Sequence, residues 1–585
     1  MNWSEMTPHN LASMAPYSQR TTEGFKTGLW SPHKPEYVEK ISPCRLGCPI
    51  GTDMARAFAE ASKGNLNQAL RIVRQDNPLP GICGRVCYHP CEGMCNRQFL
   101  DEAVNIRGFE RYLSDHGQVD LTKEIPEKVH SERVAVIGSG PAGLSAAYHL
   151  VRLGYGTTVF EALPEPGGML RFGIPEYRLP QKVLQREIDL IRHSGVEIKT
   201  GIRVGIDYSF KQIMSQFQAL FLAAGAHIGH KLGLEGEDSP GLWGGIDFLR
   251  RINLGEKVKV GRRVVVVGGG NTAIDCARAA RRLGGKQVTI LYRRSLAEMP
   301  ALAEDRALAA GEGIEIKILS APKRLILEKG RISGLECLRM ELGPMDGQGR
   351  PVPLPLEGSE FTLAGETVII AVGQFAETEF VKELDLTVDS GGRIQVDLKK
   401  ASTSIPGVFA GGDWAGNRAF VADAVAGGKL GALAVSCFLQ GKDLEEEFRR
   451  RRIGSGSSFS FHSPEDEAHS PVDLQKTAAF DRMNTLTFPH RTRRNNPSDL
   501  RVEEGRKSFK EGTSGLTKTE MDSEIARCFK CGTCIHCDLC FLICPDLAIV
   551  KAKGAGYELQ RDFCKGCGMC ASTCPRQVIE LGDGR

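Results

Sequence analysis

Two stretches of this 585-residue chain repeat one arrangement, an apolar run, a glycine signature and a helix-forming run. In the first, Arg133-Val-Ala-Val-Ile137 leads into Gly138-Ser-Gly140-Pro141-Ala142-Gly143, and residues 144–151 continue as a helical segment. In the second, 264–267 is four valines leading into Gly268-Gly-Gly270-Asn271-Thr272-Ala273. The first glycine of such a loop permits a tight turn, and the second lets the backbone approach a pyrophosphate. The third, or an alanine in its place, lets helix and strand pack closely. The pyrophosphate then meets the positive N-terminus of the helix. This constrains the fold strongly, since a strand followed by a crossover helix implies a parallel sheet. Strand-like and helical runs alternate from 132 to 440, which predicts an α/β architecture with two Rossmann-like domains.

The two loops differ in the residues that end their next strands. After 157–160 comes Glu161, placed to grip a ribose 2′-hydroxyl. Gln287-Val-Thr-Ile-Leu291 ends instead in Tyr292-Arg293-Arg294. An acid there would repel a 2′-phosphate and arginines attract one, so the second loop leans toward NADPH over NADH. Arginines on the surface or along the adenine ring would be compatible with NADH. One loop for FAD and one for NAD(P)H is the expectation. Pro406-Gly-Val-Phe-Ala-Gly411-Gly412-Asp413 supports it, a late strand ending in an acid that would hold the flavin ribityl chain, with a possible helix start at 422–428.

The cysteines are unevenly spread. Ten of 19 lie in the last 60 residues, and eight form two copies of one spacing: Cys534-x2-Cys537-x2-Cys540-x3-Cys544-Pro and Cys564-x2-Cys567-x2-Cys570-x3-Cys574-Pro. This run holds two four-iron clusters, the fourth cysteine of each run ligating the other cluster. Zinc sites or disulfides do not need a third cysteine and a Cys-Pro at these offsets. Cys528 and Cys531 precede the first run at x2 spacing, as an alternate register or a thiol pair. Six more cysteines lie between Cys44 and Cys95, and Cys276, Cys337 and Cys437 stand alone as small core residues.

At this length the chain predicts roughly three to five domains. A net charge of +4 gives no argument for nucleic acid. No signal peptide is expected at the N-terminus, and no apolar run of about 18 residues suggests a membrane span. Many cysteines in an unsecreted chain point to clusters in a reducing cytoplasm. The expected organisation is an arm (1–40), a helical iron–sulfur domain (41–129, with 53–75 helical), a first FAD segment (130–245), an NAD(P) domain (246–372) and a second FAD segment (373–445). A linker (446–520) and a ferredoxin-like α+β domain (521–585) complete it. The linker reading rests on low apolar content, on 448–452 and on a basic cluster at Arg491, Arg493 and Arg494 that is a solvated surface or a dock for an acidic partner.

Over roughly 41–440 the chain resembles the glutamate synthase small-subunit family of FAD- and NAD(P)-dependent oxidoreductases. The resemblance is carried by Cys44-Arg-Leu-Gly-Cys48-Pro-Ile, Asn77-Pro-Leu-Pro-Gly-Ile-Cys83-Gly-Arg-Val-Cys87 and Pro90-Cys91-Glu-Gly-Met-Cys95. It continues in Gly167-Gly168-Met169-Leu-Arg171-Phe-Gly-Ile-Pro175-Glu-Tyr-Arg178-Leu-Pro180, Tyr292-Arg-Arg294 and Ala371-Val-Gly373-Gln374. It implies that 167–180 lies beside the isoalloxazine, that the Gly373 strand crosses between the nucleotide domains, and that Ala224 and Gly225 join the flavin contacts. It also implies one N-terminal cluster on Cys48, Cys87 and Cys91 with Glu110 as fourth ligand, and another on Cys44 and Cys95. The relatives' upstream Cys-x2-Cys is missing here, which leaves the second cluster incomplete unless Cys83 substitutes. Three to four [4Fe-4S] clusters are therefore expected.

No Cys-x2-Cys lies between Gly138 and Gly428, so disulfide reduction is not expected. The parts suggest hydride exchange between nicotinamide and FAD, then single-electron traffic through clusters to or from a protein redox partner. In domain order, linker length and size the chain resembles the iron–sulfur flavoproteins of sulfur oxidisers that work with reverse dissimilatory sulfite reductase. Similar chains serve 2-oxoacid oxidoreductases and formate dehydrogenases. An electron-bifurcating transhydrogenase subunit and a wiring subunit without NAD(P)H activity are the alternatives, and a homodimer is open to any of them.

Overall fold

The computed structural model describes residues 26–124, 129–347, 349–388, 394–416, 420–462, 472–490, 492–496, 508–552 and 556–583. They divide into two compact units, one drawn from Pro43–His462 and Pro489–Cys528, the other from Met1–Ser42, Ser463–Phe488 and Phe529–Arg585.

Two parallel sheets organise the larger unit. The first has strand order Val408–Ala410, Ala219–Leu222, Arg133–Ile137, Gly156–Phe160, Glu197–Lys199. The second has the order Glu315–Lys317, Gln287–Leu291, Arg263–Val267, Thr367–Ile370, Leu242–Gly244. Their central strands are buried, which is why they read as unbroken apolar runs. The chain passes between the sheets twice, and the crossings pair antiparallel, Ile228–Gly229 with Gln374–Phe375. Strand Leu242–Gly244 already belongs to the second sheet, so the domain boundary falls before the expected 245/246. A four-stranded antiparallel sheet (Ser320–Glu328, Arg331–Met345, Pro351–Pro355, Phe361–Ala364) interrupts the expected alternation.

The N-terminal part of this unit is helical: Met54–Ser62, Leu66–Asp76, Pro80–Val86 and Ile106–His116. The expected single helix over 53–75 is two, because Gly64 turns the chain at φ +84°. Asp53 caps the first, its carboxylate accepting from the Arg56 amide at 3.1 Å.

Helix Val421–Gln440 is long and apolar enough to cross a membrane by length and composition, although Asp423 and Lys429 interrupt its sequence. Most of it is buried, and it packs on Pro141–Arg152 so closely that a Cβ at Gly428 would lie 2.0 Å from the Ala142 carbonyl oxygen. Lys429 is 1 % exposed. Its ammonium donates to Asp76 Oδ1 at 2.6 Å, to the Ile50 carbonyl at 2.9 Å and to the Phe459 carbonyl. Ser460 Oγ donates to the same carboxylate.

That network corrects the linker reading. The described residues of 446–520 are not a free tether. Helix Leu444–Arg451 places Glu445–Glu447 in its first turn and Arg449–Arg451 in its last, complementing the helix dipole. Ile453, Ser458, Phe459 and Ser460 are buried. Glu511 pairs with Arg85 and Arg111 at 2.8 and 2.9 Å, and Arg494 with Glu92 at 2.7 Å. A few scattered apolar anchors such as Phe459, together with polar pairs, hold the segment, and neither leaves an apolar periodicity in the sequence. Of the basic cluster, Arg491 lies outside the described residues.

The smaller unit carries both C-terminal cysteine runs. Helices Leu539–Ile543 and Met569–Thr573 accompany a hairpin of Ile549–Lys551 and Tyr557–Leu559. The described end of the expected arm is part of this unit. Lys34–Tyr37 pairs antiparallel with Ile579–Gly582, and Glu39–Ile41 pairs parallel with Val472–Thr477. The unit begins its last segment at Phe529, not near Met521, since helix Lys518–Arg527 belongs to the larger unit.

Loss of Lys429 would leave the buried Asp76 carboxylate to Ser460 and to Arg45 at 3.8 Å, and breaking a buried pair costs about 3–5 kcal/mol. Lys429→Met should therefore lower the unfolding midpoint sharply, and adding Asp76→Asn should recover much of the loss. Thermal unfolding monitored by far-UV circular dichroism checks both.

Candidate functional site

Both glycine loops open onto one cleft of about 2400 Å³ in the larger unit. At Gly138 φ is +102°, and a Cβ there would lie 2.4 Å from the Ala223 carbonyl oxygen. At Gly143 it would lie 1.9 Å from the Gly138 carbonyl oxygen, so this glycine serves helix packing behind the floor, as the buried Ala273 does in the second loop. Gly140 and Gly270 would each point a Cβ into open space. These bare backbones form floors on which a phosphate can rest at helices Pro141–Arg152 and Asn271–Arg282.

Glu161 is buried at the end of its strand. Its carboxylate accepts from the Ser139 amide at 2.9 Å, the Ser139 hydroxyl at 2.5 Å and the Leu163 amide at 2.9 Å. Asp413 also faces the cleft, and its Oδ1 is buried without a hydrogen-bond partner among the described residues. Burial, helped by the nearby Asp423 charge, pushes its carboxyl up to about 6. A buried acceptor without a donor is costly and fits the hydroxyl-rich chain of a flavin dinucleotide. Pro141, Ala142, Gly168, Met169, Ala224, Gly225, Thr272, Asn271, Gly373 and Gly412 line the same space.

The expected arginines divide. Arg178 lines the cleft, but its guanidinium is spent on two buried carboxylates, Asp275 at 2.9 Å and Asp305 at 3.0 Å. Arg171 does not line the cleft. It donates to the Pro166 carbonyl, Gln181 and Gln185 and pairs with Glu165, so it braces its own loop. Arg294 is buried, donating to the Pro351 carbonyl at 2.7 Å. Arg293 is exposed at the cleft wall with no hydrogen bond or ion pair among the described residues. Sequence reasoning missed Arg250, which lines the cleft with its Nε buried and unpartnered among those residues. It sits on helix Gly245–Asn253 without a motif around it.

Among the described residues no three His, Cys, Asp or Glu side chains close on a single metal ion. The cysteines stand instead in sets of electrostatic neighbours. Burial pushes Cys48, Cys87 and Cys91 upward, and each feels another thiol of the set or Glu110. Glu110 is itself pushed up to about 8 by burial, opposed by a 2.7 Å hydrogen bond from Asn77 Nδ2. Thiols held protonated by burial are inert as nucleophiles and become thiolates only when metal binds. Burial raises the buried Cys83 thiol as well, and its charged neighbours are Glu110, Cys87 and Cys48. Cys276, Cys337 and Cys437 are buried.

In the smaller unit the neighbours cross between runs. Burial raises Cys534 to about 12 and also raises Cys540, and each feels Cys574. Burial likewise raises Cys570 to about 12, with Cys544 and Cys564 adding to it. The fourth cysteine of each run thus stands with the other run, the arrangement that two cubanes require. Cys537 and Cys567 are exposed. Two partners come from the arm: the Tyr37 hydroxyl donates to Cys540 Sγ at 3.4 Å, and Glu39 Oε1 accepts from the Cys534 amide at 3.2 Å. Cys531 packs its sulfur 4.0 Å from the Met483 thioether.

Comparison with known proteins agrees with this geometry. The pyridine nucleotide-disulphide oxidoreductase model matches residues 132–428, the dihydropyrimidine dehydrogenase domain II, 4Fe-4S cluster model matches 39–120, and the 4Fe-4S binding domain model matches 557–580. The chain is 37 % identical to the NADP(+)-dependent formate dehydrogenase subunit beta of Moorella thermoacetica over 84 % of this chain and 70 % of that one. It is 36 % identical to the NADPH-Fe(3+) oxidoreductase subunit beta of Geobacter sulfurreducens, covering 87 % and 78 %. It is 34 % identical to the glutamate synthase [NADPH] small chain of Escherichia coli, covering 68 % and 88 %. The chain belongs to the pyridine nucleotide-disulphide oxidoreductase family, in its glutamate synthase small-subunit-like branch with 4Fe-4S domains. It is an iron–sulfur flavoprotein oxidoreductase.

If Asp413 supplies a charged acceptor to the flavin, Asp413→Ala should weaken flavin binding by about 1.5–3 kcal/mol. The expected outcome is flavin lost on desalting, read as 450 nm absorbance per chain. Full retention would remove Asp413 from the site.

Proposed function

We propose that this protein moves electrons between NADPH and a protein redox partner, with FAD on the first glycine loop, NADPH on the second and [4Fe-4S] clusters on the cysteine sets. The observation that carries this reading is the common cleft: two phosphate floors and one orphan carboxylate face the same space. A bound flavin supplies the exchange between hydride and single electrons that neither nicotinamide nor a cluster performs alone. The chain's own task is placement. Glu161 and Asp413 orient one dinucleotide, Gly270 and Asn271 seat the other, and Arg178 holds the cleft walls together. Cys48, Cys87 and Cys91 with Glu110 take one cluster, and the eight C-terminal run cysteines take two.

The partner is proposed by class, as an iron–sulfur or other redox subunit meeting this chain in the cytoplasm, where thiols stay reduced. The beta-subunit names of the first two relatives favour membership of a larger complex. Dissimilatory sulfite reductase is one candidate partner, and the catalytic subunit of a formate dehydrogenase is another.

Arg293 is the residue proposed to read a 2′-phosphate, because it is exposed at the cleft wall, whereas Arg294, which also lines the cleft, is buried and donates its Nε to the Pro351 carbonyl. Arg293→Ala should raise the KM for NADPH by about tenfold or more with little effect on NADH, because only NADPH offers a phosphate to the guanidinium. Steady-state reduction of a tetrazolium dye measures this. Equal effects on both coenzymes would show that Arg293 does not read that phosphate, and no reduction by the wild type with either would contradict the oxidoreductase reading of the cleft.

A further inference from the structure

Beyond the Cys48, Cys87 and Cys91 set, the larger unit gathers three more cysteines from distant parts of the chain. Cys44 lies in the short helix Pro43–Leu46, Cys95 precedes the turn Asn96–Phe99, and Cys528 caps helix Lys518–Arg527. All three are half-buried and pack on one apolar group that includes Met54, Phe58, Met521 and Ile525.

The link between Cys95 and Cys528 is built, not incidental. Arg97 Nη1 donates to the Arg527 carbonyl at 3.1 Å, the peptide that leads into Cys528. Arg527 returns the contact, donating to Asp101 Oδ1 at 3.1 Å and to the Glu102 carbonyl at 2.6 Å. Glu524 fixes Arg527 from its own helix at 3.0 Å and accepts from the Asn105 amide at 2.8 Å. Arg97, Arg527 and Glu524 are each no more than 1 % exposed. Charges this deeply buried are costly, and a fully paired set of them fixes the end of helix Lys518–Arg527 against the segment that carries Cys95. On the other side, helix Pro43–Leu46 packs on Pro90–Gly93, which brings Cys44 beside Cys91.

We propose that Cys44, Cys95 and Cys528 are three of the ligands of a further iron–sulfur cluster in the larger unit, so that a cysteine from the far end of the chain completes an N-terminal site. The assignment rests on the iron–sulfur reading of the protein. It differs from the alternative that the sequence leaves open, in which Cys83 substitutes; the charged neighbours of Cys83 are Glu110, Cys87 and Cys48.

Iron analysis of the anaerobically purified full-length protein tests the assignment. With this cluster the wild type should carry about 16 Fe per chain, and Cys528→Ser about 12. Flavin content should be unchanged as the check on folding, and the buried control Cys437→Ser should keep the wild-type count. A Cys528→Ser protein with the full wild-type iron count would overturn this proposal alone, whereas a wild type with iron near zero would overturn the iron–sulfur reading with it. Should the variant not fold, anaerobic alkylation of the wild type with iodoacetamide decides the matter by peptide mass mapping. Cys44, Cys95 and Cys528 should be protected together and become labelled together when a chelator strips the iron. Labelling of Cys528 while all iron stays bound would overturn the proposal.

Discussion

Arg178 is the residue on which the geometry of the cleft depends. It lies in the stretch 167–180 that lines the first nucleotide domain's side, and its guanidinium bridges Asp275 and Asp305 of the second domain at 2.9 and 3.0 Å. All three side chains are almost wholly buried, and one cation faces two carboxylates. Burial drives Asp275 up to about 6 against the pull of Arg178, with the charge of Asp305 pushing in the same direction as burial. Such a triad is a poor source of net stability but a strong source of geometry, because no other arrangement leaves the charges paired.

Neighbouring contacts reinforce the same joint. The Tyr177 hydroxyl donates to the Asp275 carbonyl at 3.1 Å, and its ring lies under Arg278 and Arg282, which themselves converge on Glu312. Helix Asn271–Arg282 begins at the second glycine loop. The joint therefore fixes where the second phosphate floor lies relative to the 167–180 stretch. Hydride transfer demands close and oriented approach, and small misplacements there cost orders of magnitude in rate.

The features legible in the sequence were short-range. Gly138, Gly140 and Gly143, Glu161, and the crossed pairing of Cys544 and Cys574 come from fixed offsets whose physical reasons hold in any context. The concealed features depend on partners hundreds of residues away. Nothing near Lys34–Tyr37 signals a strand that pairs with Ile579–Gly582. The 446–520 stretch lacks apolar periodicity, yet Glu511, Arg494 and Ser460 bind it down through polar contacts that composition does not register. Arginine roles were the least legible: Arg171, Arg178, Arg293 and Arg294 are alike in sequence, and only the position of carboxylates and carbonyls separates a brace, a clamp and a guanidinium with no partner among the described residues. The role of Cys83 stays open on the same ground, since adjacency in a cysteine-rich motif does not say which set a thiol faces.

The most direct test of this account is rapid anaerobic mixing of the holoprotein with NADPH, with flavin absorbance recorded in wild type and in Arg178→Met. If the Arg178 clamp sets the approach of the two nucleotides, the variant should keep its FAD but bleach at least about tenfold more slowly. Bleaching at the wild-type rate, with FAD fully bound, would contradict it.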